Sequence, residues 1–180
     1  MVIDDPRPGF KWPVRVAQPI NASAERVWDV ISMAGNLEPC HPFCEKNPVA
    51  VWPGDGARDE IHYLSGLVLE RKFSHWFDGA GYDLEIGKVG GPTSFVSWRI
   101  TPIDKHQCSL KITVYPYVLQ NFPSALRWLP YVVYVGPMLR RYLSSVTRGF
   151  EWTIVRGEAV PRNQFGRHPW FSAPKSASGS

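Results

Sequence analysis

The constraint that does most to limit this chain is the shortness of the breaks between its strand-like stretches. Six such stretches follow one another at 48–52, 59–66, 68–77, 82–87, 94–102 and 107–115. They are separated by Pro53-Gly54-Asp55-Gly56, Asp78-Gly79-Ala80-Gly81, residues 88–92 and Asp104-Lys105-His106. Gly, Pro and Asp in these breaks are turn formers. None of the breaks holds a crossover helix, so successive strands must pair antiparallel. Doubly wound and α/β-barrel folds are excluded.

Two helices bracket this run. The first follows an alternating strand at 14–20, where Val14 and Val16 interleave with Arg15 and Ala17. Ser23 is its N-cap, and Glu25 places a negative charge in the first turn, where the helix dipole favours it. Val27, Val30, Ile31 and Ala34 fall on one face, and Gly35-Asn36 is expected to stop it. Residues 36–47, with two Pro and two Cys, predict a short helix or a tight corner. The last periodic segment is 138–155, with Leu139, Leu143, Val146 and Phe150 on one face and Gly136-Pro137 at its start. The pattern predicts an α+β fold, a single antiparallel sheet wrapped around one long C-terminal helix.

At 180 residues, one domain is expected. It is drawn as residues 1–157, with 158–180 a partly disordered tail. The net charge of +4 comes without a Lys/Arg block, so no nucleic-acid partner is expected. Three Cys, an odd and low number, fit a reducing compartment. The N-terminal stretch lacks the basic-then-apolar order of a signal peptide, and 129–139 is too short and too broken to span a bilayer. A cytoplasmic protein is expected. Its oligomeric state is open.

Strand alternation defines an inner face. On 68–77 the odd residues Leu69, Arg71, Phe73, His75 and Phe77 share one side. Tyr82, Leu84 and Ile86 form a second row, Val96, Trp98 and Ile100 a third, and Cys108, Leu110, Ile112 and Val114 a fourth. Asp83 and Glu85 fall opposite and are expected to be solvated. A mostly apolar hollow with a few polar groups is the usual make-up of a ligand site, although the same residues would equally fill a core.

The order of elements, with Ala22-Ser23-Ala24-Glu25-Arg26-Val27-Trp28 after the first strand and Tyr142-Leu143-Ser144-Ser145-Val146-Thr147-Arg148-Gly149-Phe150-Glu151 in the closing helix, resembles the START-like (SRPBCC) superfamily. Polyketide cyclases, coenzyme-Q-binding proteins and plant pathogenesis-related allergens belong to it. The resemblance spans about residues 14–155. It implies a helix-grip fold, a curved sheet of six or seven strands with two short helices plugging one end. It also implies a hydrophobic ligand between sheet and helix. The stretch 118–135 departs from a plain member, being longer and more aromatic than the fold needs.

On this reading the partner is a small hydrophobic or aromatic molecule, contacted by Phe43, Tyr63, Phe73, Phe77, Tyr82, Trp98, Leu110, Leu139 and Leu143. An alternative is a cyclase or dehydratase (a lyase) in which His75 or His41 is the general base and Arg71 holds a carbonyl or anionic oxygen. A third reading is a scaffold in which 118–141, mixing apolar, aromatic and basic residues, docks a protein or gives weak membrane-surface contact. Cys40-His41-Pro42-Phe43-Cys44 carries metal-ligating side chains, but its spacing is unusual and no second Cys/His pair follows. No metal and no cofactor is expected.

Overall fold

The computed structural model describes residues 12–117, 126 and 128–174. The lead-in 1–11, most of the link 118–127 and the last residues 175–180 lie outside the described residues. Strand β1 (Val14–Ile20) leads into helix α1 (Ala24–Ile31) and the one-turn helix α2 (Leu37–Cys40). Then come β2 (Cys44–Lys46), β3 (Val49–Val51), β4 (Arg58–Tyr63), β5 (Val68–Phe77), β6 (Gly81–Gly87), β7 (Thr93–Pro102) and β8 (Cys108–Tyr115). A short α3 (Trp128–Pro130) and a π-helical stretch (Tyr131–Val135) precede the long α4 (Gly136–Arg156).

The strands form one antiparallel sheet in the order β1-β8-β7-β6-β5-β4-β2, with β3 also paired to β4. The chain thus has the helix-grip α+β architecture. Short turns dictate the consecutive hairpins, and the first strand closes against the last: Val14 faces Val114 and Ile20 faces Cys108. Leu139, Leu143, Val146 and Phe150 of α4 are buried against the inner face, as the 3.6-residue period requires.

Ser23 caps α1 as expected, its Oγ accepting from the Arg26 N–H at 3.3 Å. The helix, however, ends at Ile31 rather than at Gly35. The Ser32 N–H turns back to the Trp28 carbonyl at 2.8 Å, and the Asn36 side-chain amide donates to the Ile31 carbonyl. A side chain from beyond the helix thus takes over a carbonyl that the next turn would have used.

Three further expectations are corrected. The first concerns β5. Phe73 faces Leu84, but His75 faces Asp83, so Ser74 is an extra residue in the ladder. A bulge of this kind reverses the alternation beyond it. Trp76 therefore turns inward beside Tyr82, while His75 is exposed and Phe77 lies on the outer face. Secondly, Asp83 is buried rather than solvated, paired with Arg99 at 2.8 Å, and Glu85 accepts from Thr93 Oγ1 at 3.0 Å. Thirdly, residues 158–174 do not behave as a tail. The Val160 N–H donates to the Pro39 carbonyl and the Asn163 N–H to the Pro42 carbonyl, both at 2.8 Å. The Ser65 N–H donates to the Phe171 carbonyl at 3.1 Å. Val160, His168, Phe171 and Ser172 are buried. The segment is a strap that runs back across α2 and the loop after β4.

Helix α4 approaches α2 backbone to side-chain plane. A Cβ on Gly149 would stand 2.2 Å from the Cys40 carbonyl oxygen and 2.9 Å from the Pro42 ring. Thr153 Oγ1 donates to the Pro39 carbonyl at 2.9 Å one turn later. The absent side chain lets the two helices meet and so fixes where His41 sits. We expect Gly149→Ala to lower stability by about 1–3 kcal/mol through overpacking, measured by urea denaturation. An unchanged midpoint would show that α2 yields freely.

Candidate functional site: a cavity between sheet and helix

A cavity of about 270 Å³ lies between the sheet and α4. Leu84, Val96, Trp98 and Ile112 line it from the sheet, Leu139, Leu143 and Val146 from α4, and Trp170 and Phe171 from the strap. Lys88, itself exposed, also lines it, so the cavity reaches the surface there.

Besides Lys88, Ser94 and Tyr117, four polar side chains that border this space are tied into one corner: His41, Tyr63, Arg71 and Tyr142. Arg71 on β5 and Asp59 on β4 are direct cross-strand partners. Arg71 Nε donates to Asp59 Oδ1 at 2.7 Å, and Nη2 donates to Oδ2. The side chains are 4% and 0% exposed. Burial opposes the charge on Arg71, yet Asp59 beside it holds the guanidinium above its ordinary pKa. Asn47 Nδ2 adds a third donor to the carboxylate at 3.0 Å. The same amide group takes the Leu37 N–H on Oδ1 at 3.2 Å, tying the start of α2 to the ion pair.

His41 follows α2 directly. Its Nδ1 accepts from the Phe43 N–H at 3.2 Å, so Nδ1 carries no proton. Nε2 therefore holds the ring proton and donates to the Tyr142 hydroxyl at 2.9 Å. Burial, and then the Arg71 charge, push the imidazole pKa down to about 3. The ring is neutral across the physiological range. Tyr142 and Tyr63 meet hydroxyl to hydroxyl at 2.9 Å. Burial raises the pKa of both phenols. Phe171 from the strap packs on both rings, with centroids 4.5 Å from Tyr63 and 4.3 Å from Tyr142. The two thiols flanking this turn, Cys40 and Cys44, are pushed up to about 12, chiefly by burial; thiols so protonated are poor metal ligands and poor nucleophiles.

Of the residues singled out in the sequence, His41, Tyr63, Arg71, Trp98, Leu139 and Leu143 come together on the cavity. Phe43, Phe73, Tyr82 and Leu110 are buried in the surrounding core rather than on its wall. Phe77 lies on the outer face under the Arg99 guanidinium, 4.7 Å from its ring centroid. The proposed pairing of His75 with Arg71 does not form: the bulge carries His75 to solvent, and Asp59 is the partner of Arg71. Asp59, Tyr142, Trp170 and Phe171 were missed. The helical period carries a signal for Tyr142, since it precedes Leu143 and follows Leu139 by three positions. The strap residues carried none, because a Pro/Gly/Ser-rich stretch after a terminal helix reads as a tail.

The histidine gives a pH signature. Its pKa is about 3 when folded and about 6.5 unfolded. Above the unfolded value neither state is protonated. As pH falls below it, the unfolded chain gains a proton here that the folded chain refuses, so stability is lost progressively toward the folded value. Nitrogen-15 NMR is expected to show the His41 ring neutral at pH 5, with the proton on Nε2. A charged ring at that pH would mean that the hydrogen bonds described do not exist in solution.

No protein-family model matches the chain, and no curated protein matches it in sequence. Solved structures do match in shape. A START superfamily protein from Mycobacterium smegmatis superimposes with a TM-score of 0.63 at 12% identity, over 80% of this chain and 97% of that one. Norcoclaurine synthase from Thalictrum flavum gives 0.57 at 15% identity, over 80% and 93%. DynU16, from the dynemicin biosynthetic locus, gives 0.62 at 14% over 82% of this chain, which spans 48% of that protein. At these identities the likeness lies in the fold: the chain has the START-like helix-grip fold.

Proposed function

We propose that this protein binds a small hydrophobic or aromatic molecule in the cavity between its sheet and α4. The observation that carries the reading is the cavity itself, about 270 Å³ and walled mainly by apolar side chains. A void of that size in a tightly packed interior forfeits dispersion contacts that a guest would restore. The START-like likeness supports the same reading at the level of fold. The three cysteines, all buried and free, suit a reducing, cytoplasmic setting.

The cyclase or dehydratase alternative needs a base on the cavity. His41 is the imidazole there, but it gives its lone pair to the Phe43 amide and its proton to Tyr142. The site is thus better supplied to hold a molecule than to take a proton from one.

Trp98 and Trp170 both line the cavity and report on its contents. Titration with the neutral dye N-phenyl-1-naphthylamine is expected to quench their fluorescence saturably at one molecule per chain. Leu143→Trp, which fills the space, is expected to weaken uptake at least about tenfold while far-UV circular dichroism stays unchanged. No uptake by the wild-type chain, or equal uptake by the filled variant, would defeat the proposal.

A second reading is favoured by one specific observation. Leu126, Trp128, Leu129, Val132, Val133 and Tyr134 are each more than half exposed, and Arg140 and Arg141 follow on α4. Exposed apolar and aromatic groups beside basic ones suit the surface of an anionic membrane. Flotation with vesicles containing anionic lipid is expected to carry the protein up. Trp128→Ser with Val133→Ser is expected to leave it at the bottom. Failure of the wild-type chain to float would rule this contact out.

A further inference from the structure

We propose that the guest is a neutral carbonyl compound, a compact ketone, aldehyde or quinone, whose oxygen accepts a hydrogen bond from the Tyr63–Tyr142 hydroxyl pair. This inference rests on the cavity-binding reading and adds the chemical class of the ligand.

The Phe43 N–H fixes His41 Nδ1 as an acceptor, so Nε2–H donates to Tyr142. Tyr142 and Tyr63 share one oxygen–oxygen contact of 2.9 Å, which holds one proton. Two phenols bring two hydroxyl protons. One is left over whichever way the contact is oriented. Both tyrosines line the cavity, so the surplus donor is available to its interior.

Asp59 engages two nitrogens of Arg71, and its carboxylate already accepts from Arg71 Nε, Arg71 Nη2 and Asn47 Nδ2. The pair sums to zero. His41, hydrogen-bonded through both ring nitrogens, adds nothing. Lys88 lines the cavity only at its exposed mouth, so a carboxylate held at the buried tyrosine pair would meet no uncompensated cation there, and an ammonium guest would find Asp59 already taken. Either would carry its full desolvation cost. A neutral acceptor takes the spare hydroxyl proton without bringing a charge. A cavity of about 150 Å³ admits benzene, so this one, at about 270 Å³, has room for two fused rings and a short substituent.

The test is a matched series on one ring system, naphthalene, 2-acetylnaphthalene and 2-naphthoate, measured by calorimetry and tryptophan quenching. The ketone is expected to bind about tenfold tighter than the hydrocarbon, the range of one well-made hydrogen bond, and tighter than the carboxylate by at least as much. The carbonyl stretch of the bound ketone is expected to shift to lower frequency. In Tyr63→Phe/Tyr142→Phe both the preference and the shift are expected to vanish while naphthalene still binds. Both tyrosines must be changed, since removing one frees the proton of the other. Equal binding of naphthalene and ketone, or tightest binding of naphthoate, overturns the carbonyl assignment and leaves the cavity reading standing. Binding of none of the three overturns both. If the double variant does not fold, the wild-type series decides alone.

Discussion

A guanidinium buried beside an apolar cavity must be neutralised, and much of the arrangement follows from the carboxylate that neutralises Arg71. Asp59 faces it directly across β4 and β5, so the pair needs no reach from a distant loop. Breaking such a pair strands a charge at a cost of about 3–5 kcal/mol. Asp59 in turn holds the Asn47 amide, and Asn47 takes the first N–H of α2. A one-turn helix has little stability of its own. Here it is placed by that amide at one end and by the bare Cα of Gly149 near the other. His41 is delivered to the cavity as a consequence.

The polar corner and the apolar walls depend on one another. In water, the Tyr63–Tyr142–His41 chain would exchange its partners with solvent. Packed under Phe171, its hydrogen bonds lie in a low-dielectric setting where an unmet donor is costly. The strap therefore does more than cover apolar surface. His168 holds it in place, its Nε2 donating to the Met138 carbonyl at 3.1 Å on the first turn of α4. A segment from beyond the last helix thus sets the environment of a hydrogen-bond chain that starts before the second strand.

The fold was legible in the sequence because its signals are local. Turn residues mark the hairpins, Ser23 marks a helix start, and the rows Tyr82–Leu84–Ile86, Val96–Trp98–Ile100 and Cys108–Leu110–Ile112–Val114 follow from period two alone. The site was legible only in part. Arg71 was reached through alternation and His41 through the odd composition of the 40–44 turn. Asp59 was not, since an acidic residue at the start of a strand gives no sign of what lies opposite until register is known. The strap escaped because its anchoring groups, Val160, His168 and Phe171, are spaced with no period. Their burial is decided by distant partners on α2, α4 and the loop after β4.

The extra residue at Ser74 shows how one local event redistributes function between the two faces of a sheet. Without it, His75 would lie inside, one step beyond Phe73, and Phe77 would follow. With it, Trp76 takes the inner place, stacked on Tyr82 at 5.3 Å between centroids, and Phe77 comes out beneath Arg99. That guanidinium belongs to a second buried pair, with Asp83 on the outer face, and it also donates to the Tyr82 and Trp98 carbonyls. The aromatic ring shields a charge that would otherwise meet solvent on one side. The bulge thus removes a titratable ring from the cavity and supplies cover to the opposite face. The inner pair is left as the sole Arg–Asp couple on the cavity among the described residues, and its zero net charge suits the buried corner, away from Lys88 at the mouth, to an uncharged guest.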